Sequence, residues 1–217
     1  MSKQRDVEQH SRSPAGDDAL ERRSVIVALA AAGIAGPLIF AAVALLQSLL
    51  RPDHSFVRHP ISALAAGPSG WVQDVNFLVL GSLMIAYAIG LHLVVRPTRW
   101  GVVGLAFLVL SGVGLVWAGV FPATDATGAS QDDRVLHIVA FPMTFLGAGI
   151  GLIMMSRRMA GDPRWRSLAT YALATGIAVL VLLRGLFQWI LLAVWLPCTV
   201  VLALRLLRVA RAADAPR

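Results

Sequence analysis

Residues 168–207, LATYALATGIAVLVLLRGLFQWILLAVWLPCTVVLALRLL, form an apolar run that is interrupted mainly by Arg184, Gly185 and Gln188. A single helix of this length would extend about 60 Å, twice the roughly 30 Å thickness of the hydrocarbon core of a bilayer. The run is therefore predicted to form two membrane-spanning helices joined by a tight turn at Arg184 and Gly185.

The composition of the whole chain supports a membrane location. Hydrophobic residues make up 57% of the 217 residues and charged residues only 14%, whereas about a quarter of the residues in soluble domains are charged. Four further apolar runs reach the length of about 20 residues that crosses a bilayer. They cover about 24–50, 74–95, 100–120 and 135–155. We therefore predict an all-α polytopic membrane protein, a six-transmembrane-helix bundle.

The distribution of basic residues predicts the orientation of this bundle. With six spans, both tails and the second and fourth loops share one side, and these segments hold 15 of the 19 basic residues. Because basic residues accumulate on the cytoplasmic side of membrane proteins, both termini are predicted to be cytoplasmic in a multi-pass protein of the cell (plasma) membrane. Topology also explains the net charge of +7, so the bilayer is the expected partner and nucleic acid is not.

Three segments divide the chain. Residues 1–23 are polar and mixed in charge, so we expect a disordered cytoplasmic tail. Residues 24–208 form the membrane domain, and residues 209–217 form a second cytoplasmic tail. The glycine-rich third span is compatible with internal packing or with a dimer face, and the oligomeric state stays open.

Polar residues gather in the connections and helix ends that this topology places on the outer side. They are His59, Ser62, Asp74, Asn76, Asp125, Asp133, His137, Arg184 and Gln188. Ionisable groups at membrane depth are costly, so they tend to be paired or functional. Asp133 lies four residues before His137, a spacing at which a carboxylate can fix the tautomer of an imidazole. These residues are expected either to form an outward-facing polar pocket or to cap helices and solvate loops.

Established catalytic motifs are absent from the sequence. It contains no H-E-x-x-H, no paired C-x-x-C, no G-x-S-x-G and no P-loop. His59, Asp125 and His137 are weak candidates for metal ligands, because they would have to converge from separate loops. The sequence assigns no cofactor.

Five strings resemble a known family. They are HPISALAAGPSGWVQDVNFLVLG at 59–81, AGVFPATD at 118–125, DRVLHIVAF at 133–141, DPRWRSLA at 162–169 and GLFQWI at 185–190. Together they are similar to the bacterial integral membrane family catalogued as domain of unknown function 998. The resemblance implies a compact six-helix bundle without assigning an activity, and Ser62, Asp125 and His137 fall on its recurrent motifs. One departure is Trp189, where that family often has a basic residue; Arg184 is the candidate to replace that charge.

Three functions stay open, and whether the protein is an enzyme is not decided by the sequence. The first is a membrane protein whose pocket binds a lipid or a hydrophobic small molecule. The second is an intramembrane hydrolase or transferase, with or without a metal ion, acting on a lipid-like substrate. Its nucleophile would be Ser62 or a metal-bound water, its base His137 or His59, and its orienting group Asp125. The third is transport, ranked last because no charged residue is expected at mid-membrane.

Overall fold

The computed structural model describes residues 14–52, 54–56, 58–65, 67, 69–121, 131–182 and 188–212; the side chains at 14–16, 99–100 and 131–134 are not described. These ranges contain six α-helices and no strand, which confirms the all-α prediction. The helices are α1 (Pro14–Leu50), α2 (Gly70–Val94), α3 (Arg99–Val120), α4 (Gln131–Ala160), α5 (Arg166–Leu182) and α6 (Gln188–Ala212). A short 3-10 helix, Ile61–Ala65, lies between α1 and α2.

The six helices pack in chain order and close on themselves. Each helix contacts the next one along the chain, and α6 returns to contact α1. Large side chains such as Trp165 and Trp195 are buried inside the bundle, whereas Leu49, Leu50 and Ile138 on the outside are 68%, 72% and 68% exposed. Apolar side chains on the outside of a bundle are what a lipid environment favours, so the helices suggest a multi-pass membrane protein.

Five of the helices are long and apolar enough to cross a membrane, and α5 is the exception. It has 17 residues, and its length of about 25 Å is less than a hydrocarbon core of roughly 30 Å. The fifth predicted span therefore corresponds to a helix that length alone does not establish as a crossing. The predicted turn at Arg184 and Gly185 lies between α5 and α6, outside the described residues.

The first and last helices, α1 and α6, extend beyond the predicted limits of the membrane domain. α1 begins at Pro14 rather than at Ser24, so the described part of the predicted disordered tail is helical. Proline suits the first helical position and an acid such as Asp17 suits the first turn. At the other end, α6 continues to Ala212.

Close approach between α2 and α3 depends on glycine. A Cβ atom at Gly81 would lie 2.6 Å from the carbonyl oxygen of Gly112, and a Cβ atom at Gly112 would lie 2.9 Å from that of Gly81. These distances are shorter than real Cβ contacts, so the two backbones meet only because neither residue has a side chain. Of the two readings of the glycine-rich third span, Gly112 therefore supports internal packing.

Arg158, in the last turn of α4, caps the end of α2. Its side chain is 1% exposed. The guanidinium donates hydrogen bonds to the carbonyl oxygens of His92, at 2.8 Å, of Val95 and of Arg96. The last carbonyl oxygens of a helix have no hydrogen-bond donor within the helix, and the Arg158 guanidinium supplies donors to those at the end of α2. We call this end of the bundle, which contains 92–98, 158–166 and 205, the basic end.

Candidate functional site

The 3-10 helix carries Ser62 into the end of the bundle opposite the basic end. Pro60 precedes this helix, and Ile61 and Leu64 are buried. Ser62 is half-buried, and its backbone N–H donates to Oε1 of Gln188 at 3.4 Å. Two predicted site residues that are far apart in the sequence therefore meet here. We call this end, which contains 54–56, 58–65, 121, 137 and 188–189, the pocket end.

His137 lies in the second turn of α4 and is tied to the end of α3. Its Nδ1 atom is 2.7 Å from the carbonyl oxygen of Phe121. Since a carbonyl oxygen only accepts, Nδ1 carries the proton of this bond, and in the neutral ring Nε2 is left as an acceptor. The indole of Trp117 adds a second link by donating to the carbonyl oxygen of Leu136 at 2.9 Å. The carbonyl oxygen of Phe121 thus fixes which ring nitrogen of His137 carries the proton, while the predicted pairing of His137 with Asp133 stays a prediction.

A cavity of about 440 Å³ brings three of the predicted residues together. Ser62, His137 and Gln188 line it, and Thr144 of α4 adds a fourth polar side chain. The remaining wall is apolar and includes Phe77, Leu115, Phe145 and Leu192. No Asp, Glu, Lys or Arg that the structure describes lines the cavity. The described part of the site is therefore a mainly apolar cavity that carries four polar side chains and no acidic, lysine or arginine side chain.

His59, Asp74 and Asn76 do not line this cavity. The ring of His59 is exposed, its Nδ1 accepts a hydrogen bond from the N–H of Ser55 at 3.1 Å, and its carbonyl oxygen accepts one from Trp189 at 3.3 Å. Asn76 is buried against α1, where its Nδ2 donates to the carbonyl oxygen of Phe40 at 3.2 Å. Asp74 is half-buried, and among the described residues its Oδ1 has no hydrogen-bond partner.

Three other predicted site residues cannot be assigned to the cavity. Asp125 and Arg184 lie outside the described residues, and Asp133 is in the first turn of α4 without a described side chain. In the ranges that the structure does describe, no three His, Cys, Asp or Glu side chains are grouped as metal ligands. The proposed role of Asp125 as an orienting residue or metal ligand therefore stays a prediction.

A second polar cluster, at the basic end, was not anticipated as a unit. Asp162 is 1% exposed and accepts hydrogen bonds from the backbone N–H groups of Arg96, at 3.2 Å, and Arg164, at 3.0 Å, and from the Arg164 guanidinium, at 2.8 Å. The side-chain bond from Arg164, supported by the two backbone bonds, lowers the pKa of Asp162 to about 2. The same pairing raises the pKa of Arg164. In the sequence, the only sign of this cluster was Asp-Pro-Arg at 162–164, which places an acid and a base two residues apart in a loop.

The comparisons with known proteins give a family and no relative of known activity. A family model described as "Protein of unknown function (DUF998)" matches residues 34–205, a range that includes part or all of every helix. No curated protein and no solved structure matches the chain.

Proposed function

The chain belongs to the DUF998 family of proteins of unknown function, and on this premise we propose that it binds one neutral, lipid-like amphiphile in the cavity at the pocket end. The chemistry of the cavity carries the proposal. Ser62 and Thr144 offer hydroxyl groups, Gln188 offers an amide, and Nε2 of His137 is an acceptor when the ring is neutral. With no described charge to neutralise a carboxylate or an ammonium group, this lining favours a hydroxyl-bearing head group.

A groove beside the cavity supports a hydrocarbon tail on the ligand. The groove has a volume of about 550 Å³, runs between α1 and α6, and has an almost wholly apolar wall that includes Leu38, Leu45 and Val201. Ile61 and Leu192 line both the cavity and the groove. A ligand with its head group beside Ser62 could therefore pass these two side chains and lie with its chain in the groove, facing the lipid.

We also propose six spans, cytoplasmic termini and a location in the plasma membrane. α5 begins next to the basic end, because Arg164 just before it contacts Val94 and Arg205. α6 begins at Gln188, beside Ser62 at the pocket end. The chain must travel the length of the bundle between these points, which favours α5 as a crossing despite its length. The excess of arginine at the basic end favours the cytoplasm on that side.

The binding proposal is tested with a dansyl-labelled monoacylglycerol and the dansyl-labelled fatty acid of equal chain length. Full-length protein in a neutral detergent is titrated with each probe while dansyl fluorescence is followed. We expect the neutral monoacylglycerol to bind more tightly than the ionised fatty acid, because only the latter must bury a charge. Replacing Ala118, which lines the cavity, by leucine should fill part of the cavity and weaken binding.

Ser62→Ala and Ser82→Ala form a matched pair for this experiment. Ser62 lines the cavity, whereas Ser82 is exposed on α2 and does not. Losing one hydrogen bond to the head group should weaken binding about five-fold, equivalent to about 1 kcal/mol, and Ser82→Ala should leave it unchanged. Equal affinity of the wild-type protein and Ala118→Leu, with both proteins monodisperse, would show that the probe binds elsewhere.

Hydrolysis of an ester-bearing amphiphile is the second candidate function. It is supported by the presence of Ser62 and of His137, with its acceptor Nε2, in one cavity, a nucleophile and a base of the required types. The two side chains share no hydrogen bond here, and such bonds often tighten only when substrate binds. Release of fatty acid from the monoacylglycerol probe, abolished by Ser62→Ala, would establish this activity. Without release, binding alone stands, and transport stays the third hypothesis.

A further inference from the structure

A separate cavity of about 270 Å³ lies at the basic end, between α5 and α6. Its wall divides into an apolar part, formed by Leu168, Val201 and Leu204, and a polar part, formed by Ser167, Arg205 and Arg208. Val201 and Leu204 are 36% and 38% exposed, so the apolar part opens on the outside of the bundle. The cavity shares no lining residue with the one at the pocket end.

The two arginines of this cavity have no acidic partner among the described residues. The nearby acid, Asp162, is already paired with Arg164. Arg205 is oriented by that pair, because its Nε donates to the carbonyl oxygen of Arg164 at 2.8 Å. Arg208 lies one helical turn after Arg205 in α6, and its side chain is exposed. Among the described residues, positive charge is therefore held at the cavity without a neutralising carboxylate.

We propose that this cavity binds the phosphate group of an anionic phospholipid. A phosphate diester can accept hydrogen bonds from the Arg205 and Arg208 guanidinium groups and from the Ser167 hydroxyl. The acyl chain would lie along Val201 and Leu204, on the surface that faces the bilayer. Basic cavities between helices at a membrane surface suit such head groups. The apolar half of the wall favours a lipid over free phosphate, which has no use for it.

Native mass spectrometry of the full-length protein in a neutral detergent tests this site. The protein is titrated with phosphatidylglycerol or with phosphatidylcholine of identical acyl chains, and lipid adducts are counted. We expect one phosphatidylglycerol adduct at concentrations where phosphatidylcholine gives none. Arg208→Gln should weaken this adduct about five-fold, the equivalent of about 1 kcal/mol for one basic residue at a membrane surface. Arg211→Gln is the matched control, since Arg211 is exposed one turn further along α6 and lines no part of the cavity.

Three results would overturn the proposal. Equal losses in Arg208→Gln and Arg211→Gln would mean that the basic end attracts anionic lipid through its overall charge. Equal binding of the two lipids would remove the role of net head-group charge. Displacement of the phosphatidylglycerol adduct by inorganic phosphate at the same concentration as the lipid would identify a site for free phosphate instead. None of these results decides the monoacylglycerol titration, because Arg205, Arg208 and Ser167 line neither the cavity at the pocket end nor the groove; only Val201 lies on both the groove and the basic cavity.

Discussion

Nδ1 of His137 lies 2.7 Å from the carbonyl oxygen of Phe121, and this bond joins the start of α4 to the end of α3. It gives one histidine two separable roles. Nδ1–H holds two helices together at the pocket end, while Nε2 remains an acceptor in a ring that lines the cavity.

His137→Asn and His137→Ala separate these roles. The amide N–H of asparagine can take the place of Nδ1–H, so His137→Asn should keep most of the stability and lose the Nε2 acceptor. His137→Ala loses both, and its free energy of unfolding should fall by about 1 kcal/mol. Thermal unfolding in detergent measures the stability, and monoacylglycerol titration measures the contribution of the Nε2 acceptor to probe affinity. Full probe affinity in His137→Asn would exclude Nε2 as a ligand-binding atom.

Gly81→Ala should destabilise the bundle. The added Cβ would lie 2.6 Å from the carbonyl oxygen of Gly112 and 2.7 Å from the backbone nitrogen of Val116, so α2 and α3 would have to move apart. Such overpacking typically costs about 1–3 kcal/mol, read as a lower thermal midpoint. Gly104→Ala in α3 is the control, because its nearest contact would be 3.3 Å. Equal midpoints for the two variants would contradict the close packing of α2 on α3.

Acid should lower the stability of the folded protein by protonating Asp162. Its pKa is about 2 in the folded protein against an ordinary value of 3.8, so the folded state favours the carboxylate. The resulting stabilisation is fully present above about pH 4 and is lost as the pH falls through about 2. The thermal midpoint of Asp162→Asn should be lower at neutral pH and should fall less between these values. Parallel pH profiles for the two proteins would assign the acid sensitivity to other groups.

Cysteine labelling tests the topology. The experiment uses a Cys198→Ala background, so that each introduced cysteine is the only thiol in the protein; the native Cys198 is free and buried. On intact cells, an impermeant maleimide should label Ser69→Cys and should not label Thr98→Cys; both positions are exposed in connections at opposite ends of the bundle. Asp18→Cys and Arg211→Cys should both be protected until the cells are permeabilised. Labelling of only one of these two terminal positions would mean that the chain crosses the membrane an odd number of times.

The length of the apolar runs was sufficient to predict the helices, since a long apolar run has few alternatives. The predicted six-span topology also placed Ser62, His137 and Gln188 on one side, and all three line the cavity at the pocket end. They could not show that the carbonyl of Phe121 orients His137, because backbone partners leave no trace in residue identity. Arg158 shows the same limit: it counted as one of many basic residues marking a side of the membrane, yet it is buried and bonded to the end of α2. Which arginine enters the interior depends on how two helix ends meet.

The contact between α1 and α6 has a consequence for biosynthesis. α1 leaves the ribosome well before α6, so one side of α1 must wait for its partner while the four intervening helices are made. The groove between these two helices comes into existence only when α6 docks. An amphiphile bound there would contact both the first and the last helix to be synthesised. Because it would bind only after α6 has packed against α1, it would stabilise the fully assembled bundle over partly assembled forms.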